Sequence, residues 1–262
     1  MRVKRNILSF ALIMVMVGMM TLVTGCGTSE NASGDSDGDN GADVLKEFSD
    51  KPWVFDAEYD IPAEVESYTT FNELIQVSDL VVPYININSP DAKAANEELY
   101  GIYDEMIDLF NEGAREAAEY EGVSGYCVSD YDAYILDDAV SVLVTQTSGG
   151  TDVPWYDYYS YCFSLEDGRL MNYEEACEIA GITVEQAGDT VKNNIRESIL
   201  EDFSDVPDID SYIEQSIDSY ETSVNDGTIQ FVLHDMGLMD VVVKEYFPAG
   251  GGVGNKIIPA KE

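Results

Sequence analysis

The only histidine of this chain, His234, stands beside Asp235, and three cysteines, Cys127, Cys162 and Cys177, are spread through the body of the sequence. A thiol that gives its proton to an imidazole becomes a nucleophile, so each cysteine is a formal partner for His234. Nothing in the surrounding residues favours one over another. All three read as small apolar side chains of the interior, with a Cys127–Cys162 bridge as the alternative. A zinc hydrolase centre draws on several ligands, usually two or three of them histidines, and a single histidine excludes that chemistry. Two carboxylates at a fixed separation can cleave a glycosidic bond. Asp137, Asp138, Asp157 and Glu166 lie near expected strand ends where such a pair could stand. With 51 acidic residues among 262, chance pairs are numerous, and a solvated acidic surface is the reading adopted.

Two further patterns imitate ligand sites. Asp35-Ser36-Asp37-Gly38-Asp39 opens like a calcium loop, but Asn40 replaces the glycine of its sixth position and Lys46 replaces the bidentate glutamate of its twelfth. Gly250-Gly251-Gly252-Val253-Gly254 follows a strand pattern yet leads into no helix, so it reads as a turn and not as a phosphate cradle. No metal or cofactor is expected.

The strongest chemical signal is at the start. Arg2, Lys4 and Arg5 precede an apolar run from Ile7 to Val23, which ends in Val23-Thr24-Gly25-Cys26. A basic start, an apolar stretch and small residues before a cleavage point form an export leader. The run before Cys26 resembles a bacterial lipobox, in which cleavage after Gly25 leaves Cys26 as a diacylglyceryl-bearing N-terminus. Multiple acyl chains hold a protein to a bilayer stably. An uncleaved transmembrane anchor is the alternative, because the apolar run is only slightly shorter than the ~20 residues that span a bilayer.

Loss of the leader removes Arg2, Lys4 and Arg5 from the 13 basic residues and none of the acidic ones, which moves the formal charge from −38 to −41. A phosphate backbone is gripped by clustered Lys and Arg, so nucleic acid is excluded as a partner. Attraction for a basic protein or for cations is the functional counterpart, beside plain solubility.

The elements that must carry these groups follow from local patterns. Residues 27–47 are Gly, Ser, Asp and Asn with few apolar side chains, and read as a disordered acidic tether. Leu74 to Ile87 alternates as a strand, with Pro83 at an edge or bulge. Ser89-Pro90-Asp91 opens a long helix with Ala95, Leu99, Ile102, Met106, Leu109 or Phe110, Gly113 and Ala117 on its buried face. Gly125–Leu136, Ala139–Thr147 and Trp155–Leu165 form an antiparallel meander. Val140, Val142 and Val144 share one face of it. Capping boxes at Asn172/Glu175 and Thr183/Gln186 start two of the two or three helices between Tyr173 and Ser223. Strands return at Thr228–His234, Leu238–Phe247 and around Lys256–Pro259. The class is α+β: an antiparallel sheet with a long helix after the first strand and a helical segment before the closing strands.

From Leu74 to Ala260 the order of motifs resembles the paired bacterial envelope domains of unknown function numbered 4163 and 3298. The residues that carry the likeness are Val82-Pro83-Tyr84-Ile85 with the Asn96 helix, Ser148-Gly149-Gly150, the hairpin from Tyr161 to Leu170, Phe231-Val232-Leu233, Gly237-Leu238 and Tyr246 to Gly254. The resemblance implies an extracellular binding or sensing module, since such domains form the outer part of lysozyme-binding anti-sigma factors and accompany deacetylase domains. Ser164 stands where the family hairpin commonly has Asp, and the Gly-Gly turn lacks the histidine that often follows, so ligand contacts do not carry over. The expected organisation is a leader over 1–26, a tether over 27–47, a 4163-like part over 48–170 and a 3298-like part over 171–262.

The expectation is therefore a lipid-anchored binding module on the outer face of a bacterial membrane, with a basic lysozyme-like protein or a cell-wall component as partner. A carboxylate-dependent wall hydrolase is the rival. Mass spectrometry of the membrane fraction checks the anchor: an acylated N-terminal Cys26 is expected, and an intact unmodified segment from Met1 to Gly25 rules it out.

Overall fold

A computed structural model describes residues 45–57, 75–119, 125–149, 155–247 and 252–261. The strand runs expected at Gly125–Leu136, Ala139–Thr147 and Trp155–Leu165 emerge as the fourth, fifth and sixth strands of the following order. β1 (Val54–Asp56), β2 (Ile75–Leu80) and β3 (Pro83–Ile85) come first, followed by α1 (Pro90–Glu119) and by β4 (Gly125–Ile135), β5 (Ala139–Gly149) and β6 (Trp155–Ser164). Then come α2 (Tyr173–Ala180), α3 (Val184–Phe203), α4 (Ile209–Asp226), and β7 (Gln230–Leu233), β8 (Met239–Tyr246) and β9 (Val253–Lys261). The architecture is α+β, and all these elements fall in one compact unit, Asp39–Glu262.

β4, β5 and β6 form the expected meander, and β2 joins β4 in parallel because α1 intervenes as a crossover. The single strand read from Leu74 to Ile87 is in fact broken at Val81 and Val82. Pro83 cannot donate to a ladder, and it opens a separate short strand that pairs with β1. β7, β8 and β9 make a second, wholly antiparallel sheet.

Helix α1 begins as read: the Ser89 hydroxyl accepts from the Ala92 amide at 3.1 Å, and Pro90 occupies the first turn. Its buried stripe is Ala92, Ala95, Leu99, Tyr103 and Ile107, a run of i+3 and i+4 steps. Ile102 and Met106, expected on that stripe, are half-buried at its margin. The error comes from counting only apolar types, because Tyr103 is completely buried while its hydroxyl bonds the Val81 carbonyl and the Ser129 hydroxyl. The side chains of Leu109, Phe110, Gly113 and Ala117 lie outside the described residues.

The first half of β5 and the last residues of β6 are covered on both faces. Val140, Val142 and Val144, all fully buried, face a core built with Tyr161, Phe163, Ile85, Ile87, Ala92, Ala95 and Leu99. Ala139 and Cys162 point into a second core with α2, α3, α4 and the β7–β9 sheet. Full burial of each valine contributes about 1.5–3 kcal/mol, so the sheet is stabilised from both sides.

Both capping boxes hold. The Glu175 amide donates to the Asn172 side chain at 3.0 Å and the Asn172 amide to the Glu175 carboxylate at 3.0 Å. Thr183 and Gln186 repeat the pattern at 3.1 and 2.9 Å. Arg169 ties the turn before α2 to Glu175 and Asp167. In that turn Gly168 has φ +73°, and a Cβ there would sit 3.0 Å from both Ile87 Cγ2 and Ser89 Cβ, so only glycine lets it press on the start of α1.

Two buried asparagines replace missing ladder partners. Asn96 Oδ1 accepts from the Ile85 amide at 2.9 Å while its Nδ2 donates to the Ile85 carbonyl at 3.0 Å. Asn86 accepts from Phe48 N at 2.8 Å and donates to the Phe48 and Pro52 carbonyls at 2.9 and 2.8 Å. The folded body thus takes in Leu45–Glu47, read as the end of the tether: Asn88 N donates to Leu45 O at 2.6 Å, and Lys46 Nζ lies 4.8 Å from the centroid of the Trp53 ring.

Replacement Asn96→Ala orphans two buried backbone groups and is expected to cost about 2–5 kcal/mol. A urea-unfolding midpoint unchanged from wild type contradicts this account.

Candidate functional site

Cys26 and Gly25 lie outside the described residues, as do residues 35–44 of the calcium-like segment. Among the described residues no helix is long and apolar enough to cross a membrane. Gly250 and Gly251 also fall outside them. Gly252 accepts from the Phe247 amide at 3.0 Å and closes the β8–β9 hairpin. A Cβ on Gly254 would come within 2.6 Å of the Phe247 ring. Of the glycine run, Val253 and Gly254 thus already belong to β9.

His234 Nε2 lies 2.8 Å from Asp240 Oδ2, and its ring meets Tyr134 edge-on with centroids 4.5 Å apart. Just beyond it, Met236 adopts φ +66° and is 90% exposed at the tip of the β7–β8 connection. Cys162 and Cys177 are free, buried thiols. Burial pushes Cys162 up to about 12 and Cys177 up to about 11, so both are protonated near neutrality and neither is poised as a thiolate. The strand register rules out the Cys127–Cys162 bridge. Cys127 pairs with Ser148 and Cys162 with Ser141, seven residues apart on β5 and therefore roughly 24 Å.

The candidate acids are divided between the two ends of the sheet. Asp137 and Asp138 form the β4–β5 turn, and the Asp138 carbonyl accepts from Leu165 N at 2.9 Å, next to Glu166. Asp157 pairs across from Gln146 toward the other end, where its Oδ1 accepts from Asn255 at 3.1 Å. Among the described residues no group of three or more His, Cys, Asp or Glu side chains could hold a metal ion.

Sequence reasoning missed a polar cluster at Ser198. Its hydroxyl donates to buried Glu245 at 2.6 Å and accepts from Lys256, which is ion-paired with Glu245 and Asp202 at 3.5 and 3.6 Å. A lysine that donates to the serine cannot take its proton, so the cluster fastens α3 to β8 and β9. Glu245 gave a signal that could have been read: it falls on the alternating buried positions Met239, Val241 and Val243 of β8.

A cleft of about 360 Å³ opens between β6, the first turn of α2, the end of α4 and β7. Cys162, Met171, Val184, Val224, Ile229 and Phe231 give it apolar walls, while Asn172, Glu174 and Gln230 add polar groups. Its volume lies within the range of small-ligand pockets.

A second exposed feature lies on the same side of the four-stranded sheet. The register sets Tyr156, Thr147 and Val128 in one row, Tyr158, Thr145 and Asp130 in the next, and Ser160, Leu143 and Asp132 in a third. β7 covers the following row, because the Leu233 amide donates to the Ser141 hydroxyl at 3.0 Å. The outer rows stay open: Asp130, Asp132 and Tyr156 are exposed, and Thr145, Thr147 and Tyr158 half-buried. The Tyr156 and Tyr158 rings are parallel to within 8° with centroids 6.4 Å apart. On the opposite face of β6, Tyr161 and Phe163 are buried, while Trp155 at the start of the strand is 57% exposed.

In comparison with known proteins, no family model and no curated protein matches the chain.

The thiols make stability depend on alkaline pH. An unfolded thiol ionises near 9, whereas folded Cys162 keeps its proton to about 12. This stabilisation is complete below pH 9 and is lost as pH rises toward 12. The urea midpoint is expected to fall between about pH 8 and about pH 10.5, and to fall less in Cys162→Ala. An equal fall in both proteins contradicts the assignment to the thiol.

Proposed function

We propose that this chain is a lipid-anchored module on the extracytoplasmic face of a bacterial membrane, which binds or senses a basic envelope protein of the lysozyme-like kind or a cell-wall component. The anchor rests on the Val23-Thr24-Gly25-Cys26 run behind a basic and apolar leader. The order of motifs over residues 74–260, read in the sequence as resembling envelope sensor domains, is what suggests the binding role.

The observation that carries the choice of partner is the charge of the outer helix faces. Over residues 90–108, Glu97, Glu98, Glu105 and Asp108 are exposed with Lys93 as the one basic residue. Along α3 and α4, Glu185, Glu197, Glu201, Glu214 and Asp218 are exposed, with Lys192 and Arg196 as the basic residues. Each exposed pair with a partner charge contributes little. Summed over a surface of one sign, they steer a basic protein into encounter.

Binding of the detergent-solubilised full chain to a basic muramidase is expected at about 20 mM salt. It should weaken at least about tenfold by about 300 mM, where the Debye length is only a few ångströms. Absence of binding even at the lower ionic strength removes this partner class.

A further inference from the structure

We infer that the open outer rows of the four-stranded sheet, with Tyr156 and Tyr158 at their β6 end, are the surface on which a basic protein partner places arginine side chains. The inference rests on the partner class proposed above and adds the place and the chemistry of contact.

The argument begins with what the face exposes. Tyrosine rings presented side by side on a rigid strand cost little order when they bind, because only two torsions per side chain are involved. The two rings are stacked with centroids 6.4 Å apart, Tyr156 exposed and Tyr158 half-buried, and a cation over the outer face of such a pair is attracted by the ring quadrupole. Asp130 and Asp132 stand two strands away in the next rows, so a cation resting on a tyrosine has carboxylates within the same patch. Thr145 and Thr147 lie between and offer hydroxyls. At the sheet edge Asn255 fixes the strand by donating to Asp157 Oδ1 at 3.1 Å and to the Tyr156 carbonyl at 3.4 Å. The platform is therefore held in place before any partner arrives.

Arginine fits this surface better than lysine. The guanidinium is planar, stacks on aromatic faces and presents a fork of donors to carboxylates, whereas the ammonium is a compact and strongly hydrated point charge. Charge alone would not discriminate between them. The helix faces of α3 and α4 carry acids without such a platform and should attract both cations equally.

The test uses labelled octa-arginine and octa-lysine, titrated by fluorescence anisotropy against the full chain in detergent at fixed low salt. Wild type is expected to bind octa-arginine several-fold more tightly than octa-lysine. The double variant Tyr156→Ala/Tyr158→Ala should lose this preference, with about tenfold weaker octa-arginine binding, the effect of two exposed cation–π contacts. Tyr156→Phe/Tyr158→Phe should retain most of the preference, and Glu197→Gln/Glu201→Gln on α3 should weaken both peptides alike. If wild type binds both peptides and the alanine variant is unchanged, the location is wrong while the basic partner survives. If wild type binds neither peptide, the basic partner falls and the location with it.

Discussion

The structure depends on a pair of strands, β5 and β6, whose paired ends, Ala139–Val142 and Tyr161–Ser164, have no solvent side. One face carries three fully buried valines into the core beneath α1, and the other turns Ala139 and Cys162 toward the α2–α4 helices and the second sheet. Neither core could bury its apolar surface alone, because each uses the same two strands as a wall. The long helix before the strands and the three helices after them are thereby coupled through a shared sheet.

Such a wall excludes water from both sides and leaves polar groups that need partners inside. They are met with side chains of defined reach. Asn86 and Asn96 complete the edges of backbone that no strand adjoins, and Ser141 takes the Leu233 amide across the two sheets. Glu245 is accommodated by Ser198 and Lys256. These contacts explain why residues that look misplaced in an apolar pattern sit at the seams between elements.

Much of this was legible in the sequence. Capping signals placed the starts of α1, α2 and α3, since Ser89, Asn172 and Thr183 act within a few residues of themselves. The meander followed from strict alternation between short turns. The parallel β2–β4 pairing was not legible, because it joins segments separated by a thirty-residue helix and no local pattern reports it. The stripe of α1 was misplaced by one position where Tyr103 outranked Ile102, which needed knowledge of Ser129 on a distant strand. Of the candidate site residues, Cys162 and Cys177 were correctly read as interior. The exposure of the β6 tyrosines was hidden, because alternation tells which side chains share a face but not how far along the strand the covering layer extends.

Leu45 and Asn86 also decide how the body would respond to force. Tension arriving from the segment upstream of Leu45 passes first to the Asn88–Leu45 contact and then to the backbone of Phe48 and Pro52, which one asparagine side chain grips. The load then meets the short β1–β3 ribbon, whose Val54 and Ile85 already belong to the core beneath α1. A pull on Leu45 would therefore be met first by a few side-chain and backbone hydrogen bonds, while the four-stranded sheet is held by far longer ladders.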